Sequence, residues 1–336
     1  MRKMFGLILL LSCTAFAVQK EIVIASEYPG GNLAKMIEGF TKATGIKVSF
    51  VTQGKAALVD FIPVADADLV ITSVGDELEL AKRAGQLRKM TAKVETDVIP
   101  TRFRDPDGYW IGYSYRVRSI FFNNTVNSEE VPTYEQLADP KWAGRLCTRT
   151  MDHKYNHAFV AWYLATHGEA ETKKWLAGIK ANAVKPIEGG DPRQAQKVSE
   201  GKCDISITNS YYMVELLENA KTRANAATNL STKLPGQDAN GAYALVNSIA
   251  VLKQAKHPKE ANALIEFLEG YMAQRWLADV LTVYPVRSDV QPRGFLKGYG
   301  KTAFVEVPKI DQTPISKAVD CVERARVLIQ EAGYEK

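Results

Sequence analysis

Long apolar runs are scarce in this sequence: beyond the opening residues, no segment approaches the ~18 consecutive apolar residues of a membrane-spanning helix, so the body of the chain reads as soluble. Histidine and cysteine are equally sparse, four of each, with no Cys-x-x-Cys pair and no His-rich tract. That excludes the usual soft-metal frameworks. Charge of one sign is also missing in bulk. Lys and Arg number 43 against 38 Asp and Glu, a formal net charge of +5 with no basic block, which argues against nucleic acid as a partner. Low-complexity tracts and fixed-period repeats are lacking. Neither Ser26 nor Ser210 has a His and Asp partner in a nucleophile motif, and Gly189-Gly190 lacks the spacing of a phosphate-cradling loop. Hydrolase and nucleotide chemistry therefore have no support, and the chain reads as a binding protein rather than an enzyme.

What is present begins at the N-terminus. Arg2 and Lys3 precede an apolar stretch from Phe5 to Leu11, followed by Ala15-Phe16-Ala17 and then polar Gln19, Lys20 and Glu21. This is the pattern of a secretory signal peptide, residues 1–17, cut after Ala17. A second reading of the same stretch takes Leu10-Leu11-Ser12-Cys13 as a lipobox, which would leave Cys13 lipidated and the protein tethered. Cleavage after Ala17 leaves 336 − 17 = 319 residues, and loss of Arg2 and Lys3 brings the charge from +5 to +3. That length suits two domains. Export also exposes Cys147, Cys203 and Cys321 to an oxidising compartment. Cys147 and Cys203 sit on short strand-like runs and are expected to pair, while Cys321 lies in a helical pattern and reads as a buried free thiol.

Periodicity gives an alternation of strands and helices. Ile22–Ala25 reads as a strand, Leu33, Met36, Ile37 and Phe40 recur at helical spacing, and 46–51 alternates as a second strand. Asp68–Thr72 and a helix over 78–87 repeat the unit, which predicts parallel sheets in α/β layers. Trp110–Asn123 is a β-rich run long enough to cross between domains, and 242–252 would carry the chain back. Between them lie strands 145–149 and 203–208 and helices over 155–166, 170–179 and from Tyr212. Helices at 258–270, 271–280 and 314–333 complete the packing. The division is 18–118 plus 246–336 for the N-terminal lobe and C-terminal helices, and 119–245 for the second lobe.

Two-lobed α/β proteins bind ligands beyond the carboxyl ends of strands, in the crevice between lobes. The loops there are Ser26-Glu27-Tyr28, Thr72-Ser73, Met151–Asn156 and Asn209–Tyr212. Three of the four carry tyrosine: Tyr28, Tyr155, and the adjacent Tyr211 and Tyr212. A Tyr-Tyr pair at a helix start can be packing alone. Facing one cleft, several phenols suit a small, hard, highly charged cation, because a phenol of pKa near 10 ionises at neutral pH only when such a charge displaces its proton. Ferric iron fits that description. His153 and His157, an i, i+4 pair flanking Tyr155, could chelate a metal or simply face solvent.

The sequence resembles the periplasmic ferric-iron-binding proteins of ABC transporters, the FbpA-like group of type II periplasmic binding proteins, over nearly the whole mature chain. The matching pieces are Phe40–Val48, Ala67–Thr72, Arg116-Val-Arg118, Gly189-Gly-Asp191, Asn209–Tyr212 and Tyr284-Pro-Val-Arg287. The resemblance implies an α/β fold of two lobes, each a sheet flanked by helices, with the ligand cleft between them. It implies Tyr211, Tyr212 and Tyr155 as Fe³⁺ ligands, with Tyr28 as the N-terminal tyrosine of the family's His-Tyr pair. Glu27 stands where a histidine is common; it is itself an oxygen donor, which leaves the participation of Glu27 and Tyr28 open. Some relatives complete the coordination with carbonate or another anion, and Arg116 and Arg118, on one face of an alternating strand, could hold it or could form salt bridges at the hinge. The implied partners are an inner-membrane permease and its ATPase, the implied compartment is the periplasm, and the chain is expected to act as a monomer. The alternatives are a receptor of the same fold for a polyamine, thiamine or a phosphonate, and an envelope enzyme or chemosensory partner protein.

Overall fold

The computed structural model describes residues 20–27, 33–54, 56–291 and 307–334. The expected signal peptide, Cys13 and Tyr28 lie outside the described residues. The chain enters on β1 (Glu21–Ser26), where Ile22, Ile24 and Ala25 are buried. Helix α1 (Ala34–Thr44) buries Met36, Ile37 and Phe40 on one face and ends at Gly45, whose φ of 73° lets its N–H reach Thr41 O. Strand β2 (Lys47–Thr52), the single turn α2 (Leu58–Phe61), β3 (Leu69–Thr72) and α3 (Asp76–Arg83) follow. Strand β4 (Trp110–Asn123) is buried at every position.

The second half runs β5 (Leu146–Cys147), α4 (Lys154–His167), α5 (Glu169–Asn182), α6 (Asp191–Ser199), β6 (Ile205–Asn209), α7 (Tyr212–Glu218), α8 (Arg223–Asn229) and β7 (Leu230–Lys233). Strand β8 (Ala244–Val251) returns the chain, and α9 (Pro258–Glu269), α10 (Tyr271–Val280), α11 (Ile315–Val319) and α12 (Val322–Glu331) complete it.

Among the described residues the strands join in the order β2-β1-β3-β8-β4-β6-β5, with β7 also on β4. The expected parallel pairing is found for β1 with β2, β1 with β3, and β5 with β6. It fails for the crossing strands, because a chain that passes between two sheets and comes back must run the second time in the opposite direction. Accordingly β8 lies antiparallel to β3 and β4, and β4 lies antiparallel to β6 and β7. Strand β4 pairs with β8 over Trp110–Val117 and with β6 over Arg118–Phe122. The switch of partner falls between residues 117 and 118.

The buried apolar residues form three clusters. One apolar cluster gathers β1, β3, α1 and α9 around Ile24, Phe40, Leu69 and Leu264. A second gathers Phe159, Trp162, Trp175 and Tyr243, with Phe159 and Trp162 stacked at 5.6 Å between centroids. Ala325, Leu328 and Ile329 of α12 belong to this second cluster, so the last helix packs on α4 and α5. A third, smaller cluster lies around α6 and α7, where Cys147 and Cys203 form a disulfide with a Cα–Cα distance of 5.9 Å. Cys321 is free and partly buried.

Candidate functional site

Strands β1, β3 and β6 stop at Ser26, Thr72 and Asn209, and their carboxyl ends face one crevice. Glu27, Ser73, Arg116, Tyr155 and Tyr211 line a cleft of about 410 Å³ there, with Phe50 and Leu277 on its apolar wall. Each is carried by a short, well-anchored segment. Tyr155 sits in the first turn of α4, fixed by His153, whose Nδ1 accepts a hydrogen bond from the Tyr155 N–H at 3.2 Å. Tyr211 is the residue before α7, and Tyr212 opens that helix with only 9% of its surface exposed. Their rings lie 4.2 Å apart, so Tyr212 stands behind Tyr211.

Burial pushes the Tyr211 phenol up to about 12, against the pull of Arg116, and raises Tyr212 further, with Tyr211 itself the next cause. Both are neutral phenols until a cation displaces the proton. The Arg116 guanidinium carbon stands 4.8 Å from the centre of the Tyr155 ring. Arg116 donates to Ser73 O at 2.6 Å and to Asn247 Oδ1, and these two bonds hold it in the cleft.

Arg118 is a correction to the sequence reading. Although it shares a strand face with Arg116, it is fully buried, ion-paired with Asp191, and donates to Asn209 Oδ1 at 3.1 Å and Ile207 O at 3.2 Å. The reason is the change of partner in β4: Arg116 lies opposite Leu245 of β8, Arg118 opposite Asn209 of β6. Arg118 is thus spent inside the second half and is no anion ligand. The His153–His157 chelate also does not form. His153 is the extended residue capping α4, with φ −149°, and burial, with Arg149 and Lys154 beside it, lowers its pKa to about 3. His157 turns to Asp152 at 3.7 Å and lines a separate cavity with Arg326 and Tyr334.

Glu27 reaches the cleft with one carboxylate oxygen accepting from Ser73 Oγ at 2.6 Å and the other paired with Lys154 Nζ. Lys154 also pairs with Glu77 at 2.8 Å. The sequence reading missed both Lys154 and Glu77. The available signal was local: a lysine opening a helix opposes the helix dipole and calls for nearby carboxylates. Among the described residues no three His, Cys, Asp or Glu side chains converge as a metal site.

The geometry has close counterparts. A ferric binding protein from Campylobacter jejuni superposes with a TM-score of 0.84 at 27% identity, covering 93% of this chain and 99% of that one. A protein from Trichodesmium, solved with iron and citrate ligands, superposes with a TM-score of 0.84 at 28% identity, over 94% and 100% of the two chains. Iron uptake protein A1 of Synechocystis is 32% identical over 324 residues, 94% of this chain and 88% of that protein. The architecture is the mixed α/β, two-lobed fold of type II periplasmic binding proteins. Residues 67–312 match the bacterial extracellular solute-binding proteins, and with the cleft at the strand ends of both halves, that is the family to which this chain belongs.

Proposed function

We propose that this protein captures ferric iron through the phenolates of Tyr155, Tyr211 and Tyr212 and delivers it, outside the cytoplasmic membrane, to a permease driven by an ATPase. The observation that carries the reading is the gathering of these three tyrosines, from the start of α4 and the β6–α7 junction, beside one cleft. The names of the relatives, an iron uptake protein and a ferric binding protein, support the same cargo. Three phenolates neutralise the charge of Fe³⁺, and hard oxygen donors suit it. The protein acts as a receptor, not an enzyme. It takes the ion on the tyrosines of the second half, and Tyr28 is the candidate that adds a ligand from the first as the lobes close.

A cleft of about 410 Å³ exceeds what a bare ion fills, which leaves room for an accompanying oxyanion. Arg116 is the group placed to hold it, since a guanidinium matches carbonate or a carboxylate with paired donors. Addition of a ferric salt to the purified protein is expected to give a broad visible charge-transfer band that bleaches with excess chelator. Tyr211→Phe and Tyr212→Phe are each expected to weaken iron binding at least about tenfold, that is by ~1.4 kcal/mol or more, and to diminish or shift the band with little change in thermal stability. Unchanged colour and affinity in both variants would refute phenolate ligation.

A further inference from the structure

Lys154 is the first residue of α4, where a cation opposes the helix dipole. Its ammonium is nonetheless held, and among the described residues its partners come from the other half of the molecule. Nζ pairs with Glu27 at the end of β1 and with Glu77 of α3, and approaches Thr72 Oγ1 at the end of β3 at 3.4 Å. The carboxylates are anchored from their own side: Ser73 Oγ donates to Glu27 and Thr72 Oγ1 to Glu77. About four-fifths of each of the three side chains is withdrawn from solvent. The next residue along α4 is Tyr155, over whose ring the Arg116 guanidinium lies.

Resting on the ferric reading above, we propose that Lys154 is a specificity-determining residue that holds Glu27 out of the metal's coordination. Glu27 and Ser73 line the same cleft as Tyr155 and Tyr211, so an unpaired Glu27 would be the ready oxygen donor from the first half. With both carboxylates engaged by one ammonium, the charged group that the first half leaves free to face the cleft is the Arg116 guanidinium. The ion's remaining positions are then filled by an exogenous oxyanion or by water. The chemical class of cargo that follows is ferric iron accompanied by a small carboxylate or carbonate, in preference to iron enclosed by protein ligands alone. Lys154 acts through Glu27 and need not touch the metal. Because it ties α4 to β1 and α3, the same contact sets Tyr155 against the first half.

The test is the visible spectrum of the ferric-loaded protein, with and without added citrate, for the full chain and four variants. Citrate is expected to shift the band of the unaltered protein. Lys154→Met frees Glu27 to coordinate; its band is expected to move to shorter wavelength, because an added anionic donor raises the iron acceptor orbitals, and its citrate response should fall about tenfold. Lys154→Arg should keep the unaltered band. Lys154→Met combined with Glu27→Gln should regain the citrate response, which a merely structural role for Lys154 would not allow. Glu27→Gln alone should leave the band where it was, and this variant decides the matter if Lys154→Met fails to fold. A shifted band in Glu27→Gln, or an unshifted one in Lys154→Met, would overturn the proposal while leaving ferric binding intact. An unaltered protein with no band at all would instead overturn the ferric reading on which it rests.

Discussion

Arg116 and Arg118 show how little of a residue's role is fixed by its place on a strand face. Replacing Arg118 by Met would leave buried Asp191 with only the more distant Arg149 guanidinium at 3.6 Å, a loss of up to about 3 kcal/mol to be read in urea unfolding. Arg116→Met removes hydrogen bonds to Ser73 and Asn247 but strands no buried carboxylate, so its unfolding free energy should fall by less. Asp76, the first residue of α3, supplies a pH signature. Burial, and after it Glu77, pushes its carboxyl up to about 7, and its Oδ2 has no hydrogen-bond partner among the described residues. Because the folded pKa lies above the unfolded value, the unfolded chain loses this proton first. Stability therefore declines as pH rises between about 4 and 7, by on the order of 2–4 kcal/mol. Asp76→Asn is expected to raise the melting temperature at pH 8 and to change it little at pH 4.

The best-secured short element is β5, two residues long and tied by Cys147 to Cys203. The disulfide closes a segment of 56 residues in sequence, so Cys147→Ala with Cys203→Ala is expected to cost about 4 kcal/mol on the chain-entropy account, measurable by chemical denaturation. Legibility at this scale followed the strength of the periodic signal. Strand β4 could be read at its full extent because aromatic and β-branched residues recur at short intervals from Trp110 to Phe122. Helices α4, α5, α9 and α10 were legible within a few residues of their ends. By contrast β7 has four residues, with polar Ser231, Thr232 and Lys233, and becomes a strand only through pairing with β4. Helix α6 was passed over although Gly190-Asp191-Pro192 is a helix-start pattern, since its buried face is polar and small: Asp191, Gln194, Ala195 and Ser199. The cleft could be found from strand ends alone; a lysine opening α4 called for carboxylates nearby, but that Glu77 is one of them could not be read, because an ion pair between sequence positions 77 apart leaves no local periodicity.

At the scale of the whole molecule, β4 and β8 join two apolar cores and the cleft lies where the halves face each other. A ligand held by both halves stabilises both. At free ferric chelate a thousandfold above the dissociation constant, global unfolding should become harder by about 4 kcal/mol, seen as one upward shift of the thermal transition; a shift confined to part of the transition would place the ligand on one half alone. The central claim is that phenolates in this cleft bind ferric iron. Its most direct test is a visible absorption titration of the purified protein with ferric citrate, followed by excess chelator, run in parallel on Tyr211→Phe. The account predicts a charge-transfer band that saturates near one iron per chain, bleaches with chelator, and is diminished or shifted in the variant. A protein that stays colourless and retains no iron, or a variant whose band and affinity match those of the unaltered chain, would contradict it.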